Sequence, residues 1–429
     1  MVDTKHLIRY GGEFVDEVIE RAEGSWLTTT DGRRILDFTS GQMCATIGHS
    51  HPAVVAALSE AAQQVIHLFS GMLAPAVLEL AAELAALLPD PLDKLLLVNT
   101  GSESNEAALR IAKLHTGGFE VLGLSGSWHG MTSGAASSTY SAGRRGYGPG
   151  LPGTMALPTP NCYRCPIAHC RDRCDLTCLE VGMSLADSQA TGAYAAVVVE
   201  PVLSAGGIVP LPPGYLSRLA ALCRERGLLL IVDEAQTAMG RTGELFASHA
   251  MGVVPDIMTL SKTLGGGLPL AATATNADIE QDCADKGLLY FTSHVSDPLP
   301  AAVGLAVLRI IVTDRLVERA RVLGARLREG LRALADTHEA IGDVRGMGLL
   351  LGVDVVTDRD TRTPDEGLGG AVTRRCLELG LNVNIVKFRG MGSVLRLAPP
   401  LTTTDAEIDL GLELLDQAFT DAGALARRP

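Results

Sequence analysis

Aromatic residues are scarce in this 429-residue chain, at 4% with only two tryptophans, so a flat side chain beside reacting groups has few candidates. Basic charge is also short: 36 Lys and Arg face 49 Asp and Glu, a formal charge of −13. That balance excludes the broad cationic face that neutralises phosphates, and Arg144-Arg145 or Arg164 to Arg173 are too local to replace it. Nucleic acid is not an expected partner. No apolar stretch approaches the ~18 uninterrupted residues of a spanning helix, and the opening MVDTKHLIRYGGEF has no apolar signal-like run. No membrane contact and a cytoplasmic location are expected. Nine cysteines are an odd count in a chain long enough to bury its own core, so reduced thiols are expected rather than a disulfide framework.

Glycine (47) and proline (21) are dispersed without a period, which excludes collagen-like sequence and fits many tight strand-to-helix turns. The length suits two or three domains. Asp31-Gly32 predicts a hairpin between strands over 24–30 and 34–38, within an otherwise irregular N-terminal arm. Pro52 opens an apolar-periodic helix to about 69, and a second runs over 75–88. Short apolar strands follow at 95–98, 121–124, 195–200, 228–232, 257–260 and 270–275, with helices at 103–115 and 215–226. This pattern predicts an α/β protein, a mostly parallel central sheet with helices on both faces. After a long helical stretch over 300–335, strands at 349–356, 381–385 and 394–397 and helices at 370–379 and 405–419 read as a smaller α/β domain.

Three features converge on one chemistry. Asp233 ends the apolar run LLLIVDEAQ (228–236), at the carboxyl end of a strand, where open α/β sheets bind ligands. Lys262, in TLSKTLGGG (259–267), enters a pocket of small residues, where a partly desolvated amine is nucleophilic toward carbonyls. In TGSESN (100–105), Gly101 and Ser102 precede a helix whose free N–H groups suit a phosphate. A lysine amine, a strand-end carboxylate and a phosphate cradle are what pyridoxal 5′-phosphate (PLP) requires of a protein.

Through IVDEAQT (231–237), GRTG (240–243), Pro255-Asp256 and Ser261-Lys262, with GMGLL (346–350) and RLAPP (396–400), nearly the whole chain resembles the class III (subgroup II) aminotransferases of PLP fold type I. Within that group it looks most like the 2,2-dialkylglycine decarboxylases, through TSGQM (39–43), HLFS (67–70), SWHGMT (127–132), TYSAG (139–143) and HVSDPLPAA (294–302). The resemblance implies a segment 1–50 packing with the small domain, a large PLP-binding domain over 51–310 and a small domain over 311–429. It implies that Lys262 forms the Schiff base and shuttles protons, Asp233 pairs with the pyridinium, and Gln236 bonds the ring phenolate. Trp128 and Ala235 would cover the ring faces, and Thr100, Gly101, Ser102 and Asn105 would form the phosphate side. Ser293, where relatives carry threonine, would reach the partner subunit's phosphate, implying a homodimer or a dimer of dimers.

Which bond to Cα breaks depends on which one stands perpendicular to the conjugated ring. Arg396 offers a planar fork for the substrate carboxylate, the use class III enzymes make of the matching arginine. A structural ion pair is its alternative. Gln42 matches the decarboxylase glutamine that holds the departing carboxylate out of the ring plane, and a neutral amide does so without strongly stabilising the anion that must be lost. Its alternative is a loop residue capping backbone groups. EPVLSAGG (200–207) lacks the glutamate that pairs with the substrate arginine in many ω-aminotransferases, which leaves Arg396 for α-carboxylates. The resemblance further implies a K+ or Na+ site built from Ser70, Ser293, Val295 and Asp297, an oxygen set suited to a hard cation. Ser293, Phe291 (tyrosine in closer relatives) and Ala205 (serine there) depart from the pattern and bear on substrate rather than cofactor.

Five cysteines, Cys162, Cys165, Cys170, Cys174 and Cys178, fall within seventeen residues with His169 among them. They could place four thiolates on one metal. Their pairs do not repeat like those of a zinc ribbon, and similar insertions in class III relatives are surface loops, so flexible reduced thiols are expected. Structural zinc, an iron–sulfur cluster and a regulatory disulfide stay open. The expected activity is a PLP-dependent decarboxylating aminotransferase taking 2,2-dialkylglycine-like or small α-amino acids, with a 2-keto acid such as pyruvate as acceptor. A non-decarboxylating α-aminotransferase, an amino-acid racemase or epimerase, and a silent PLP-binding or metal-sensing protein are the rivals.

Overall fold

The computed structural model describes residues 2–11, 14–142, 144–171, 173–385 and 393–426. Gly143, the last residue of TYSAG, lies outside them. Seven strands form the central sheet: β1 (Lys94–Val98), β2 (Glu120–Leu124), β3 (Thr154–Leu157), β4 (Tyr194–Val199), β5 (Leu229–Asp233), β6 (Ile257–Leu260) and β7 (Ala271–Thr275). Their order is β1-β7-β6-β5-β4-β2-β3, and every strand is parallel to its neighbours except β7, which runs antiparallel to both β6 and β1. The reversal follows from chain length. A parallel return needs a crossover of about a dozen residues or more, and the stretch from Leu260 to Ala271 holds only the short 3-10 turn Lys262–Gly265. Strands β2, β6 and β7 are buried at every position, as apolar runs covered on both faces should be.

The N-terminal strands Ile19–Glu23, Trp26–Thr29 and Arg34–Asp37 form an antiparallel meander turning at Asp31-Gly32, and the third pairs in parallel with Leu381–Asn382. Farther on, Ile341–Met347, Leu350–Asp358, Val394–Leu397 and Asn384–Ile385 make an antiparallel sheet. Packing over it are Leu316–Thr337 and Glu366–Leu379, and Asp405–Ala426 packs against those two helices.

Several elements differ from expectation. The helix opened by Pro52 stops at Gln64, where Val65 turns extended, and Ile66 and Phe69 are left exposed. The stretch over 300–335 is two helices, Pro298–Thr313 and Leu316–Thr337, separated at Arg315, whose φ of 53° cannot continue a right-handed helix. Strand Ile341–Met347 carries two glycines and two charges in half-buried positions, so neither alternation nor an apolar run marks it. Helix Thr177–Gln189 starts behind a left-handed Leu176 with no side-chain cap to announce it.

Candidate active site

The carboxyl ends of β5 and β6 and the N-terminus of helix Gly101–Thr116 meet at a cavity of about 340 Å3. Thr100, Gly101, Ser102 and Asn105 line one side, Asp233, Ala235 and Lys262 another, with Trp128 between. The helix start is fixed by a capping box: Thr100 Oγ1 accepts from Glu103 N at 3.2 Å and Glu103 Oε2 accepts from Thr100 N at 3.0 Å. Gly130 lets the chain pass the same helix start, because a Cβ there would lie 2.2 Å from Ser102 Oγ. Gly101 likewise faces Ser261, whose buried Oγ has no hydrogen-bond partner.

Asp233 is buried, and burial alone would raise its pKa. The hydrogen bond and charge of His129, with the charge of Lys262, outweigh that and hold it below the ordinary carboxylate value. His129 Nδ1 lies 2.9 Å from Asp233 Oδ2, and Asn105 Nδ2 donates to the same oxygen at 2.8 Å. Asn105 also donates to the His129 carbonyl and accepts from Thr259 Oγ1, so it braces the carboxylate from the first turns of helix Gly101–Thr116. Sequence reasoning placed Asn105 at the phosphate and gave His129 no role. No spacing rule marks a histidine that acts through a strand more than 100 residues away. Lys262 has φ 45°, strained for a side-chain-bearing residue and typical of functional positions. Its charge acts on both Asp233 and Cys44.

These residues fit PLP. An ionised carboxylate, a lysine, a tryptophan and free helix N–H groups face one cavity, and the unpartnered Ser261 hydroxyl lies beside the helix start. Gln236 lies outside the cavity lining, half-buried, its Oε1 accepting from Ser204 Oγ at 2.7 Å. Glu200, which sequence reasoning also left without a role, accepts from Trp128 N at 2.8 Å and Ser204 N at 3.3 Å. Burial pushes its pKa up to about 7.

Gln42 is exposed at the tip of a strained turn. Ser40, Gly41 and Met43 all have positive φ, and the turn is braced by Asp37, whose oxygens accept from Thr39 N and Gly41 N. Buried Arg241 donates to Ser40 Oγ and to the Leu349 carbonyl. Ser40 Oγ donates to Ala398 O at 2.6 Å, tying the turn to the strand that carries Arg396. Burial draws the pKa of Arg396 down to about 10 against the opposing pull of Glu200. Its Nη2 donates to Asn384 Oδ1 at 2.8 Å, its buried Nε has no partner, and among the described residues it makes no ion pair.

Of the four residues assigned to a cation, Asp297 lies with His67 Nδ1 at 2.6 Å from Oδ1 and His294 Nδ1 at 2.6 Å from Oδ2. Ser70 Oγ donates to Thr292 O at 3.4 Å, Val295 is buried, and Ser293 is exposed away from this chain's cofactor cavity. The cysteine segment differs from expectation. Cys165, Cys170 and Cys178 are buried, and the turn Cys162–Arg164 is seated by Arg164 Nη2 on the fully buried Asp354 at 2.8 Å.

The family model for class-III aminotransferases matches residues 11–419. An uncharacterised aminotransferase of Schizosaccharomyces pombe is 50% identical over 418 residues, 97% of this chain and 93% of the relative. The 4-aminobutyrate aminotransferase of Escherichia coli is 35% identical over 406 residues, 94% of this chain and 93% of the relative. The crystal structure of an amine transaminase from an uncultivated Pseudomonas species, with PLP bound, superposes with a TM-score of 0.89 at 30% identity, covering 98% of this chain and all of that one.

Proposed function

The chain belongs to the class III aminotransferases, and within that family we propose that it is a decarboxylating aminotransferase of the dialkylglycine decarboxylase kind. Its fold is the α/β fold type I of PLP enzymes, and PLP is the cofactor expected of the family. Bound PLP supplies an electron sink for the bond broken at Cα. Lys262 offers the amine that anchors the cofactor and moves the proton. Asp233, held ionised by His129 and Asn105, would keep a positive charge on the ring nitrogen. Trp128, in the cavity lining, would cover one ring face and limit water.

The reading of the substrate is carried by Arg396. A half-buried guanidinium with no acidic partner among the described residues, and with its buried Nε left without an acceptor, is ready for a carboxylate. Gln42, on a turn tied to the same strand, provides a neutral amide for orienting a leaving carboxylate. Small or 2,2-disubstituted α-amino acids are the proposed donors and a 2-keto acid such as pyruvate the acceptor. We also propose a homodimer in which Ser293 serves the neighbouring site, an alkali cation at Ser70, Ser293, Val295 and Asp297, and the division of the chain at about residues 50 and 310.

The test mixes PLP-loaded protein with 2-aminoisobutyrate and pyruvate in potassium buffer and quantifies CO2, acetone and alanine. Equal yields of the three support the reading. Alanine without CO2 leaves a plain α-aminotransferase, and inversion of a chiral amino acid with no keto acid leaves a racemase.

A further inference from the structure

We propose that Arg345 is a positioning residue for substrate binding, which seats the C-terminal sheet on the turn over residues 204–208 and so fixes where Arg396 stands relative to the cofactor cavity. This role rests on the reading of Arg396 as the carboxylate-binding group. Strand register supplies the geometry. Arg345 pairs with Gly352, Gly352 with Arg396, and Arg396 with Asn384, one row across four strands. Side chains in such a row share a face of the sheet. Asp343, Asp354 and Val394, two residues along each strand, form the next row on that face.

The face meets the turn closely. Arg345 Nε donates to the carbonyls of Gly207 and Ile208, both at 3.0 Å, and Nη2 donates to Gly207 O at 2.7 Å. Its Nη1 donates to Asp343 at 2.8 Å and to the fully buried Asp354 at 2.9 Å. Asp354 also accepts from Arg164 Nη2 at 2.8 Å and Ser393 Oγ at 3.2 Å, so the carboxylate that orients Arg345 is itself fully engaged. Gly352, between the two arginines, makes the slot for Ile208: a Cβ there would lie 2.8 Å from Ile208 Cβ. Ile208 has φ 51°, a conformation that a β-branched residue keeps only where its surroundings over-determine it. It packs in one buried cluster with Val202, Leu350, Ala398 and Met43 of the Gln42 turn.

On its other side the turn is fixed to the cavity wall. Gly207 N and Ile208 N both donate to Ser204 O at 3.2 Å. Ser204 N donates to Glu200, whose other oxygen accepts from Trp128 N. Gly206 lets the turn touch the segment leading to Trp128, since a Cβ there would lie 2.7 Å from Gly126 O. One guanidinium gripping two successive carbonyls therefore joins the sheet to a turn that is already anchored. Among the described residues Arg396 hydrogen-bonds through Nη2 to Asn384 of the neighbouring strand, so its place relative to the cavity is set by where the sheet sits. A lysine at 345 would supply the charge without the fork.

The experiment follows alanine–pyruvate exchange in the PLP-loaded full-length enzyme, which needs no loss of CO2 and so stands apart from whether the enzyme decarboxylates. Arg345→Lys removes the fork, and Gly352→Ala drives Ile208 and the sheet apart. Each should raise KM for alanine and pyruvate at least about tenfold, with a smaller change in kcat. The dissociation constant for PLP should stay within about twofold, and denaturant melts should stay cooperative. In an Arg396→Gln background, Arg345→Lys should add less than about twofold, because no carboxylate contact is left to misplace. If Gly352→Ala does not fold, Arg345→Lys, which adds no bulk, decides. Unchanged KM in Arg345→Lys, equal weakening of PLP and substrate, or full additivity with Arg396→Gln would each overturn the proposal. No exchange by the unaltered enzyme, or unchanged KM in Arg396→Gln, would overturn the reading of Arg396 and this role with it.

Discussion

Two buried carboxyl groups a few residues from the cofactor cavity are driven in opposite directions. Asp233 is held ionised by His129, while Glu200, which accepts only backbone N–H groups, is pushed up to about 7 by burial. Environments that separate two acids in this way assign them different work. Asp233 carries fixed charge toward the cofactor, and Glu200 positions the Trp128 backbone and the Ser204–Gln236 pair. Between the ordinary value of 4.5 and about 7, the folded state binds more protons at Glu200 than the unfolded state does. Its contribution to stability is therefore largest below 4.5, falls as pH rises through that window and is level above it. Glu200→Gln should remove this slope, which denaturant melts at pH 5 and pH 8 would show as a change of roughly 2 kcal/mol in the difference between the two proteins. A difference that is flat with pH would mean that the carboxyl is relieved by other groups. At the same scale, Gln42→Ala should cut CO2 release about 100-fold while slowing alanine–pyruvate exchange less than about fivefold, because an orienting contact made only for the departing carboxylate is lost. Equal losses in both reactions would reduce Gln42 to a general carboxylate or loop contact.

The turn bearing Gln42 shows how strain is held by neighbours. Gly41 has φ 64° and ψ −119°, Ser40 and Met43 also have positive φ, and the turn is held at Gly41 N by Asp37 and at Ser40 Oγ by Arg241 and the Ala398 carbonyl. A Cβ at Gly41 has room, the nearest atom being His49 Cε1 at 3.7 Å, so Gly41→Ala tests backbone conformation alone. It should cost roughly 1–3 kcal/mol and lower kcat/KM for α-amino acids by more than about tenfold, seen in chemical melts and initial rates. This is also where legibility in the sequence ends. Strands β5 and β6 and the charged groups that reach the cavity from their ends could be read from apolar runs closing on Asp233 and Lys262, since a buried parallel strand needs little beyond such a run. Capping chemistry marked the start of helix Gly101–Thr116. The roles of His129, Glu200 and Arg241 could not be read, because each acts on residues distant in sequence. The antiparallel turn of β7 was hidden by run-based reasoning, which gives a strand its existence but not its direction.

At the scale of the whole molecule, one group of uncovered apolar residues falls in a short stretch of sequence. Ile66, Phe69, Met72 and Leu73 follow the early end of helix Pro52–Gln64, and Phe291 joins them from the segment held by Ser70 Oγ on the Thr292 carbonyl. Phe69 alone is 67% exposed. Large bare apolar side chains on adjoining segments suit a contact surface. Ser293 and Asp297 belong to the same region, so a partner docking there would bring its own Ser293 to the neighbouring cofactor cavity and enclose the proposed cation ligands. Association, cation dependence and activity should then fail together. Phe69→Glu combined with Met72→Glu should convert the proposed dimer to monomer in size-exclusion chromatography with light scattering, and lower activity at least about tenfold. The same variant should lose the difference in rate between potassium and tetramethylammonium salts that the proposed cation site predicts for the unaltered protein. A dimer that survives both charges with full activity would place the interface on another face and leave His67, His294 and Asp297 as a surface ion pair network.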